Sequence, residues 1–292
     1  MTGGHAAELC VVCRAPRASD AERALVRSNV RRFVSESFAV WRCRSCGSIH
    51  ADQPIDLAPY YRAYPMHSVD LDWRARAVYR VQLRRLTRAG FRREHALLDY
   101  GCGSGAFVQF LRKAGYRNCV GYDPFNPAFA KESLLGKEYD CVLSQDVLEH
   151  VEDPWPLLGV FRRLLAPGGL LAIGTPNASA IDLARPEAYV HTLHQPYHRH
   201  IISKAALLDL GDSFDLLLLH YHPRSYINAA LPFINHRFLI HYLRCQDNTF
   251  DAAFEPVKPS FRLLSPRSIF WGFLGSLFAP ETDVMALYRA GT

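Results

Sequence analysis

The stretch LLDYGCGSGAF, residues 97–107, places an apolar run directly before three glycines, Gly101, Gly103 and Gly105. A short buried strand that turns sharply into a helix has this pattern, because glycine readily adopts the left-handed backbone of tight turns. Such a turn at a helix N-terminus brings the backbone close to a nucleotide-like ligand. The stretch therefore predicts a ligand-binding strand–loop–helix unit, and the residues around it have to identify the ligand.

Two ligands fit these glycines, a dinucleotide and S-adenosylmethionine, and two nearby acidic residues bear on the choice between them. Asp99 lies two residues before Gly101, where a carboxylate repels a pyrophosphate and attracts the ammonium of a methionine moiety. Asp123 ends the next predicted strand, where an acid accepts hydrogen bonds from ribose hydroxyls. Asp123 fits either ligand, whereas Asp99 favours S-adenosylmethionine.

Outward from this loop, short apolar strands alternate with helical segments. Residues 96–292 therefore predict an α/β domain of Rossmann-like architecture, with a mostly parallel sheet and helices on both faces. The last strand is expected in DVMALYRAG, residues 283–291, so that residues 221–282 form a helical insertion before it. Ligands of such sheets bind at the carboxyl ends of the strands.

Four motifs in chain order resemble the class I S-adenosylmethionine-dependent methyltransferases: LLDYGCGSGAF, VGYDP, YDCVLSQDVLEHVEDPWPLL and LLAPGGLLAIGTPN. The resemblance is strongest to bacterial small-molecule enzymes akin to the quinone-biosynthesis O-methyltransferases, and it covers residues 96–220. It implies S-adenosylmethionine as the cofactor. It also implies that the methionine end of the cofactor is held by Asp99, Gly101, Gly103 and Gly105. The ribose would be held by Asp123, and the sulfonium would be flanked by Ser144, Gln145 and Asp146.

The chain departs from this family in one interval. Only 16 residues separate Asp123 from Asp140, where family members usually fit a helix, a further strand and an acid that contacts adenine. Either the sheet lacks an edge element or KESLL forms a vestigial strand. Phe125 is expected to stack on the adenine or, equally, to pack in the core.

Four of the eight cysteines form two C-x-x-C pairs, at Cys10, Cys13, Cys43 and Cys46. Two such turns present four thiolates to one ion, and a closed set of four sulfurs is typical of structural zinc. His50 is a less favoured replacement for one of the sulfurs. Residues 1–60 therefore predict a zinc-ribbon module, and this module resembles the zinc-binding part of sugar C-methyltransferases.

Residues 61–95 are expected to form a linker and one helix, from about Leu71 to Ala89. An apolar face is expected at Trp73, Ala77, Val81 and Leu86, and a solvated basic face at Arg76, Arg80, Arg84 and Arg88. An anionic substrate is the alternative use of that basic face.

The candidate general bases are histidines that follow the strands. His150 lies in VLEHVEDP, and YVHTLHQPYHRHIIS, residues 189–203, contains His191, His194, His198 and His200. This segment is expected over the mouth of the site as a lid or substrate loop, with His194 or His198 as the base, His150 near the transferred methyl, and Tyr197 on the substrate. The alternative is a capped turn with solvated histidines. A metal site is disfavoured, since no carboxylate occurs at a matching spacing.

Charge and composition bear on partners and location. Residues 1–95 carry 17 arginines and nine acidic residues, whereas residues 96–292 carry 17 basic and 19 acidic residues. The basic N-terminal third is a weak indication of nucleic-acid binding, which we disfavour. The N-terminus does not resemble a signal peptide, and the sequence contains no run of apolar residues long enough to span a membrane, so a cytoplasmic protein is expected.

The sequence thus predicts a methyltransferase that acts on a small-molecule acceptor, with O-methylation of a hydroxyl favoured. The alternatives are C- or N-methylation of a sugar or natural-product intermediate, a zinc-ribbon RNA methyltransferase, and a non-catalytic protein that retains the cofactor fold. The aromatic insertion at residues 221–282 is expected to cap the site around a bulky or lipophilic acceptor or to form a homodimer interface, ahead of a membrane contact.

Overall fold

A computed structural model describes residues 9–62, 71–223, 227–229 and 231–291. Its strands are β1 Arg23–Arg27, β2 Ser37–Arg42, β3 Ile49–Ala51, β4 Leu97–Tyr100, β5 Cys119–Tyr122, β6 Tyr139–Gln145, β7 Leu165–Pro176, β8 His200–Ile201, β9 Leu216–His222 and β10 Asp283–Ala290. Its α-helices are α1 Ala58–Tyr61, α2 Trp73–Arg88, α3 Ala106–Lys113, α4 Pro154–Leu164, α5 Val190–Leu193, α6 Lys204–Asp209, α7 His236–Cys245 and α8 Pro266–Leu274.

The central sheet has six strands in the order β5-β4-β6-β7-β10-β9. The first four run parallel, and β10 runs antiparallel to both of its neighbours. This confirms the predicted mostly parallel Rossmann-like sheet. The short interval after β5 forms a 3-10 turn at Glu132–Gly136, so KESLL is not a strand and β5 is the edge of the sheet.

The sheet is covered on both faces because successive strand residues point to opposite sides. Leu98 pairs in register with Val142, and both pack with Phe161 of α4 on one face. Leu97 and Leu143 face the other side, where Leu111 of α3 and α2 cover them. Two apolar cores therefore hold the strands rigid and fix the positions of the loops at their carboxyl ends.

Helix α2 agrees with the predicted span of 71–89 to within two residues. The Asp72 carboxylate caps it by accepting a hydrogen bond from the Ala75 amide. All four arginines of the predicted basic face are exposed, which confirms the solvated interpretation. The predicted apolar face was wrong at one residue, since the Trp73 side chain is 61% exposed.

The N-terminal module forms an antiparallel sheet in the order β1-β2-β3-β8. Its last strand comes from the distant segment 200–201, and His50 pairs with His200 in the backbone register. The module is therefore bonded directly to the histidine-rich segment. The domain boundary at residue 60 stays a prediction from the sequence, as does the one at residue 95.

The insertion between β9 and β10 contains α7 and α8, which pack on each other. Several of its large apolar side chains are exposed, including Phe261, Ile269, Phe273 and Leu277. Within the described ranges, none of the helices combines the length and the hydropathy needed to cross a membrane.

Candidate active site and metal centre

The glycine loop connects β4 to α3 as the sequence predicts. Gly101, Gly103 and Gly105 all have positive φ angles, of +80°, +54° and +72°. A Cβ at Gly101 would lie 2.2 Å from a methyl carbon of Val147, and one at Gly105 would lie 2.3 Å from the Phe129 ring. At Gly103 a Cβ would meet no atom within 4 Å. The turn therefore requires glycine at positions 101 and 105, where a side chain would clash. Gly103 faces open space where a ligand can approach.

Asp99 lies at the end of β4 beneath this loop and is only 6% exposed. Burial, together with the nearby charge of Asp123, raises the pKa of Asp99 from 3.8 to about 7. A buried carboxylate whose charge is disfavoured gains most from a cationic ligand. The electrostatics at this position fit the ammonium of a methionine moiety, as the sequence predicts.

We predict that Asp99→Asn has opposite effects on cofactor binding and on stability. Loss of the charge-assisted contact is worth about 1.5–3 kcal/mol, which corresponds to roughly a ten- to hundredfold increase in the Kd for S-adenosylmethionine. The Tm of the ligand-free variant should rise. The raised pKa of Asp99 means that the folded wild type becomes less stable as pH rises from 3.8 to about 7, and the neutral asparagine removes this cost at neutral pH. Calorimetry and thermal unfolding at neutral pH check both, with exposed Asp212→Asn as the control. Unchanged affinity would contradict the assignment.

Asp123 follows β5 and organises the loop next to the glycines. Its carboxylate accepts hydrogen bonds from the amides of Gly103, Phe125 and Asn126, at 2.9, 2.9 and 3.2 Å. The side-chain amide of Asn126 in turn donates to the Gly103 carbonyl, at 2.7 Å. Asp123 therefore lies beside the open glycine, where the ribose is expected.

Phe125 is 82% exposed, so the interpretation that it packs in the core is wrong. Its ring lies parallel to Tyr61, with a centroid separation of 5.8 Å and an interplanar angle of 10°. Tyr61 ends α1 in the N-terminal part of the chain. The two rings form a flat aromatic surface beside Asp123.

Three polar side chains follow one another at the carboxyl end of β6. Ser144 is fully buried, and its hydroxyl has no hydrogen-bond partner among the described residues. The Gln145 amide donates to the Asp146 carboxylate at 2.9 Å. Asp146 has a φ of +53°, an uncommon conformation for a non-glycine residue that is enriched at functional sites. The structure therefore brings these residues to the same edge of the sheet as the glycine loop.

The histidine-rich segment is buried, so the alternative with solvated histidines is wrong. His194 and His198 are 3% and 7% exposed. Their rings lie 5.0 Å apart, and the His150 ring lies 4.9 Å from His198. Burial and the neighbouring imidazoles hold the pKa values of His194 and His198 well below the ordinary range, and burial lowers that of His150 to about 4. All three imidazoles are therefore neutral at pH 7, which is the form that accepts a proton or binds a metal.

Tyr197 and His191 of the same segment have structural partners. The Tyr197 hydroxyl donates to the Tyr60 carbonyl at 3.1 Å, and its side chain is fully buried. His191 lies between the side chains of Asn29 and Asn248, at 3.2 and 3.0 Å. Direct contact of Tyr197 with a substrate stays a prediction that these contacts do not favour.

Sequence reasoning missed four residues around the site. Glu149 is 1% exposed, accepts a hydrogen bond from the Thr175 hydroxyl at 3.0 Å, and has a pKa raised by burial and by Asp146. The Tyr61 hydroxyl lies 3.0 Å from Nδ1 of His150. Further residues from α2 that reach this edge of the sheet are Tyr79 and Gln82. The one signal in the sequence was the Glu-His pair in VLEHVEDP.

The four cysteines of the N-terminal module converge as predicted, with all sulfurs within 4.8 Å of one another. Cys10 and Cys46 are separated by 3.6 Å, and Cys13 and Cys43 by 3.7 Å. Nε2 of His50 lies 3.2 Å from the Cys10 sulfur. The donor set fits a tetrahedral zinc ion held by four thiolates. His50 lies within hydrogen-bond distance of the Cys10 sulfur and does not replace a cysteine as a ligand.

Comparison with known proteins agrees with this geometry. Residues 73–221, just over half of the chain, match a family model described as a methyltransferase domain. Two proteins named ubiquinone biosynthesis O-methyltransferase are similar. The one from Cereibacter sphaeroides is 34% identical over 109 residues, which cover 30% of this chain and 44% of the relative. The one from a Caulobacter species is 32% identical over 112 residues, which cover 30% and 43%. The chain thus matches less than half of the length of these relatives.

Two solved methyltransferase structures are also similar. A putative sarcosine dimethylglycine methyltransferase from Galdieria sulphuraria is 18% identical with a TM-score of 0.47, covering 74% of this chain and 86% of its own. The 1,6-didemethyltoxoflavin-N1-methyltransferase from Burkholderia thailandensis is 12% identical with a TM-score of 0.42, covering 87% and 96%.

The family match extends from α2 to β9 and contains the glycine loop, Asp99, Asp123 and the residues that follow β6. These residues lie at or just after the carboxyl ends of β4, β5 and β6. The chain therefore belongs to the methyltransferase-domain family.

Proposed function

We propose that this methyltransferase methylates a hydroxyl oxygen of a small-molecule acceptor. The observation that carries the proposal is which ring nitrogen of His198 carries the proton. Its Nδ1 lies 2.9 Å from the Thr192 carbonyl, which can only accept, so this nitrogen carries the proton of the neutral ring. Nε2 is therefore the unprotonated nitrogen, buried beside the segment that follows β6 and available to take a proton from a hydroxyl.

The cofactor, when bound, supplies a methyl group on a cationic sulfonium. In this proposal the Asp99 carboxylate holds the ammonium of the cofactor, and Asp123 accepts hydrogen bonds from the ribose hydroxyls. The aromatic surface of Tyr61 and Phe125 binds the adenine, replacing the acid that the shortened interval after β5 lacks. The sulfonium is flanked by Ser144, Gln145 and Asp146.

The side chains around His198 support proton removal. Once Nε2 has accepted the proton, the imidazolium lies 3.9 Å from the Glu149 carboxylate, which stabilises the positive charge. His150 and His194 surround the same space and exclude water from it. The chain thus positions an acceptor oxygen for in-line attack and removes its proton in a dry environment.

The names of the relatives support O-methylation over the alternatives, C- or N-methylation and RNA methylation. The apolar insertion supports a lipophilic acceptor, with α7 and α8 covering it, and the same exposed surface is a candidate homodimer interface.

Mass spectrometry of a metabolite extract tests the proposal. The extract is incubated with the enzyme and with cofactor whose methyl group is deuterated. We expect one small metabolite to gain a labelled methyl group, with no gain when Asp99→Asn replaces the wild type at a low cofactor concentration. Label that appears in RNA instead, with retention of RNA that weakens as salt rises, would contradict a small-molecule acceptor.

A further inference from the structure

A chain of hydrogen bonds joins the insertion to the histidine-rich segment by way of the N-terminal module. In the insertion, Oδ1 of Asn248 lies 3.0 Å from Nε2 of His191. Nδ1 of His191 lies 3.2 Å from Nδ2 of Asn29, and Oδ1 of Asn29 lies 2.7 Å from Nδ1 of His194. Three segments that are far apart in the sequence therefore meet at one imidazole.

Asn29 is the central member of this chain and is completely buried. It lies in the turn after β1, and its backbone carbonyl accepts a hydrogen bond from the Phe250 amide of the insertion at 2.6 Å. Its side chain presents one accepting oxygen and one donating nitrogen, and each of them meets a different histidine. A side chain held in this way controls which nitrogen of each ring carries the proton.

The donors and acceptors of the chain agree on one position for each proton. Oδ1 of Asn248 can only accept, so the neutral His191 ring carries its proton on Nε2 and meets the donating Nδ2 of Asn29 with an unprotonated Nδ1. Oδ1 of Asn29 can only accept, so Nδ1 of His194 carries the proton. Burial keeps both rings neutral, since it lowers the pKa of His191 to about 4 and that of His194 well below the ordinary range. Nε2 of His194 is therefore the unprotonated nitrogen.

The plane of the His194 ring is fixed by aromatic neighbours. The ring stacks on Tyr197, with a centroid separation of 4.8 Å and an interplanar angle of 18°. The Phe250 ring of the insertion lies 4.9 Å from it, and the His198 ring lies 5.0 Å from it. The insertion thus supplies both a ring against His194 and the far end of the hydrogen-bond chain.

Ion pairs beside Asn29 attach the insertion to the N-terminal module. The Arg31 side chain donates to the carboxylates of Asp247 and Glu255, at 2.6 and 3.0 Å. Both acidic residues belong to the insertion and lie within seven positions of Asn248. These contacts hold the two asparagines on either side of His191.

We propose that Asn29 is a positioning residue of the acceptor site, which holds His194 in the tautomer with an unprotonated Nε2. Asn248 sets the direction of the hydrogen bonds from the insertion. Through Asn29 the N-terminal module contributes to the site itself, in addition to binding its zinc ion. The use of Nε2 of His194 to orient the acceptor beside His198 rests on the proposed function, whereas the tautomer does not.

Nuclear magnetic resonance of protein labelled with nitrogen-15 in histidine reports the tautomer directly. The His194 signals are assigned by their loss in His194→Ala. We expect Nδ1 of His194 to be protonated in the wild type and in Asn29→Asp, which keeps an accepting oxygen. Asn29→Leu has no polar side-chain atom, so the ring should lose its single tautomer. Exposed Asn118→Leu is the matched control and should keep the wild-type signals.

Asn248→Gly tests the other end of the chain, and it keeps the test decisive if circular dichroism shows that Asn29→Leu does not fold. Asn248 has a φ of +56°, which glycine adopts without strain, so this substitution removes the side chain and preserves the turn. We expect His191 and His194 to lose their single tautomers. Exposed Asp215→Gly, at a φ of +52°, is the control and should change neither ring.

Methyl transfer supplies the second readout. Asn29→Leu and Asn248→Gly should lower kcat/KM for the acceptor from the metabolite extract by about 10–100-fold and leave the Kd for S-adenosylmethionine unchanged, and Asn29→Asp should restore part of the rate. A wild-type His194 protonated on Nε2, a folded Asn29→Leu with an unchanged tautomer, or a changed tautomer with wild-type kcat/KM would overturn the proposal. If the tautomer depends on Asn29 but the product carries its methyl on carbon or nitrogen, only the proposed function is contradicted.

Discussion

His198→Ala is expected to lower kcat by about 10²–10⁴-fold while leaving the Kd for S-adenosylmethionine close to that of the wild type. The side chain lies in the histidine cluster and not against the glycine loop, so its removal affects the acceptor and not the cofactor. Single-turnover kinetics with the acceptor from the metabolite extract, together with calorimetry of cofactor binding, measure the two quantities separately.

The matched control for this variant is His220→Ala, which removes an exposed histidine of β9. It should retain the wild-type rate. His194→Ala is an informative companion, since the Nδ1 atom of His194 is engaged by Asn29 at 2.7 Å. Wild-type rates in both His194→Ala and His198→Ala would show that neither histidine removes the proton.

Cys43→Ser is expected to remove one zinc equivalent and to unfold the N-terminal module. Zinc binding by four thiolates supplies about 10–16 kcal/mol in small zinc-finger peptides, which is comparable to the whole stability of a domain. Cys43 directly follows β2 and is 2% exposed, so the effect should extend through the sheet to β8. Activity should fall as well, because Tyr61 and the histidine-rich segment are attached to this module.

Metal analysis and thermal unfolding check this prediction. Cys245→Ser serves as the control, since this cysteine is also buried but lies on α7, away from the other sulfurs. A Cys43→Ser chain that retains the zinc content and the Tm of the wild type would show that the four cysteines do not hold a structural ion.

The predictable features depend on local patterns. The unit from β4 to α3 follows from a short apolar run and the glycines after it, and helix α2 follows from the periodicity of its apolar and basic residues. The convergence of the cysteines follows from their C-x-x-C spacing. In each case residues close in sequence determine the structure.

The features that sequence analysis missed depend on contacts between distant segments. Glu149 meets His198 across 49 positions of the chain, and Tyr61 meets His150 across 89. Pairing of β3 with β8 buries histidines that look like parts of a surface loop.

The position of the transferred methyl group tests the central claim most directly. The labelled product is prepared with cofactor that carries a carbon-13 methyl group, and its nuclear magnetic resonance spectrum identifies the atom to which the methyl is bound. We predict a methyl carbon bonded to oxygen, formed by the wild type and by His220→Ala and absent with His198→Ala. A methyl group bonded to carbon or nitrogen, or a product formed at the wild-type rate by His198→Ala, would contradict deprotonation of a hydroxyl acceptor at this site.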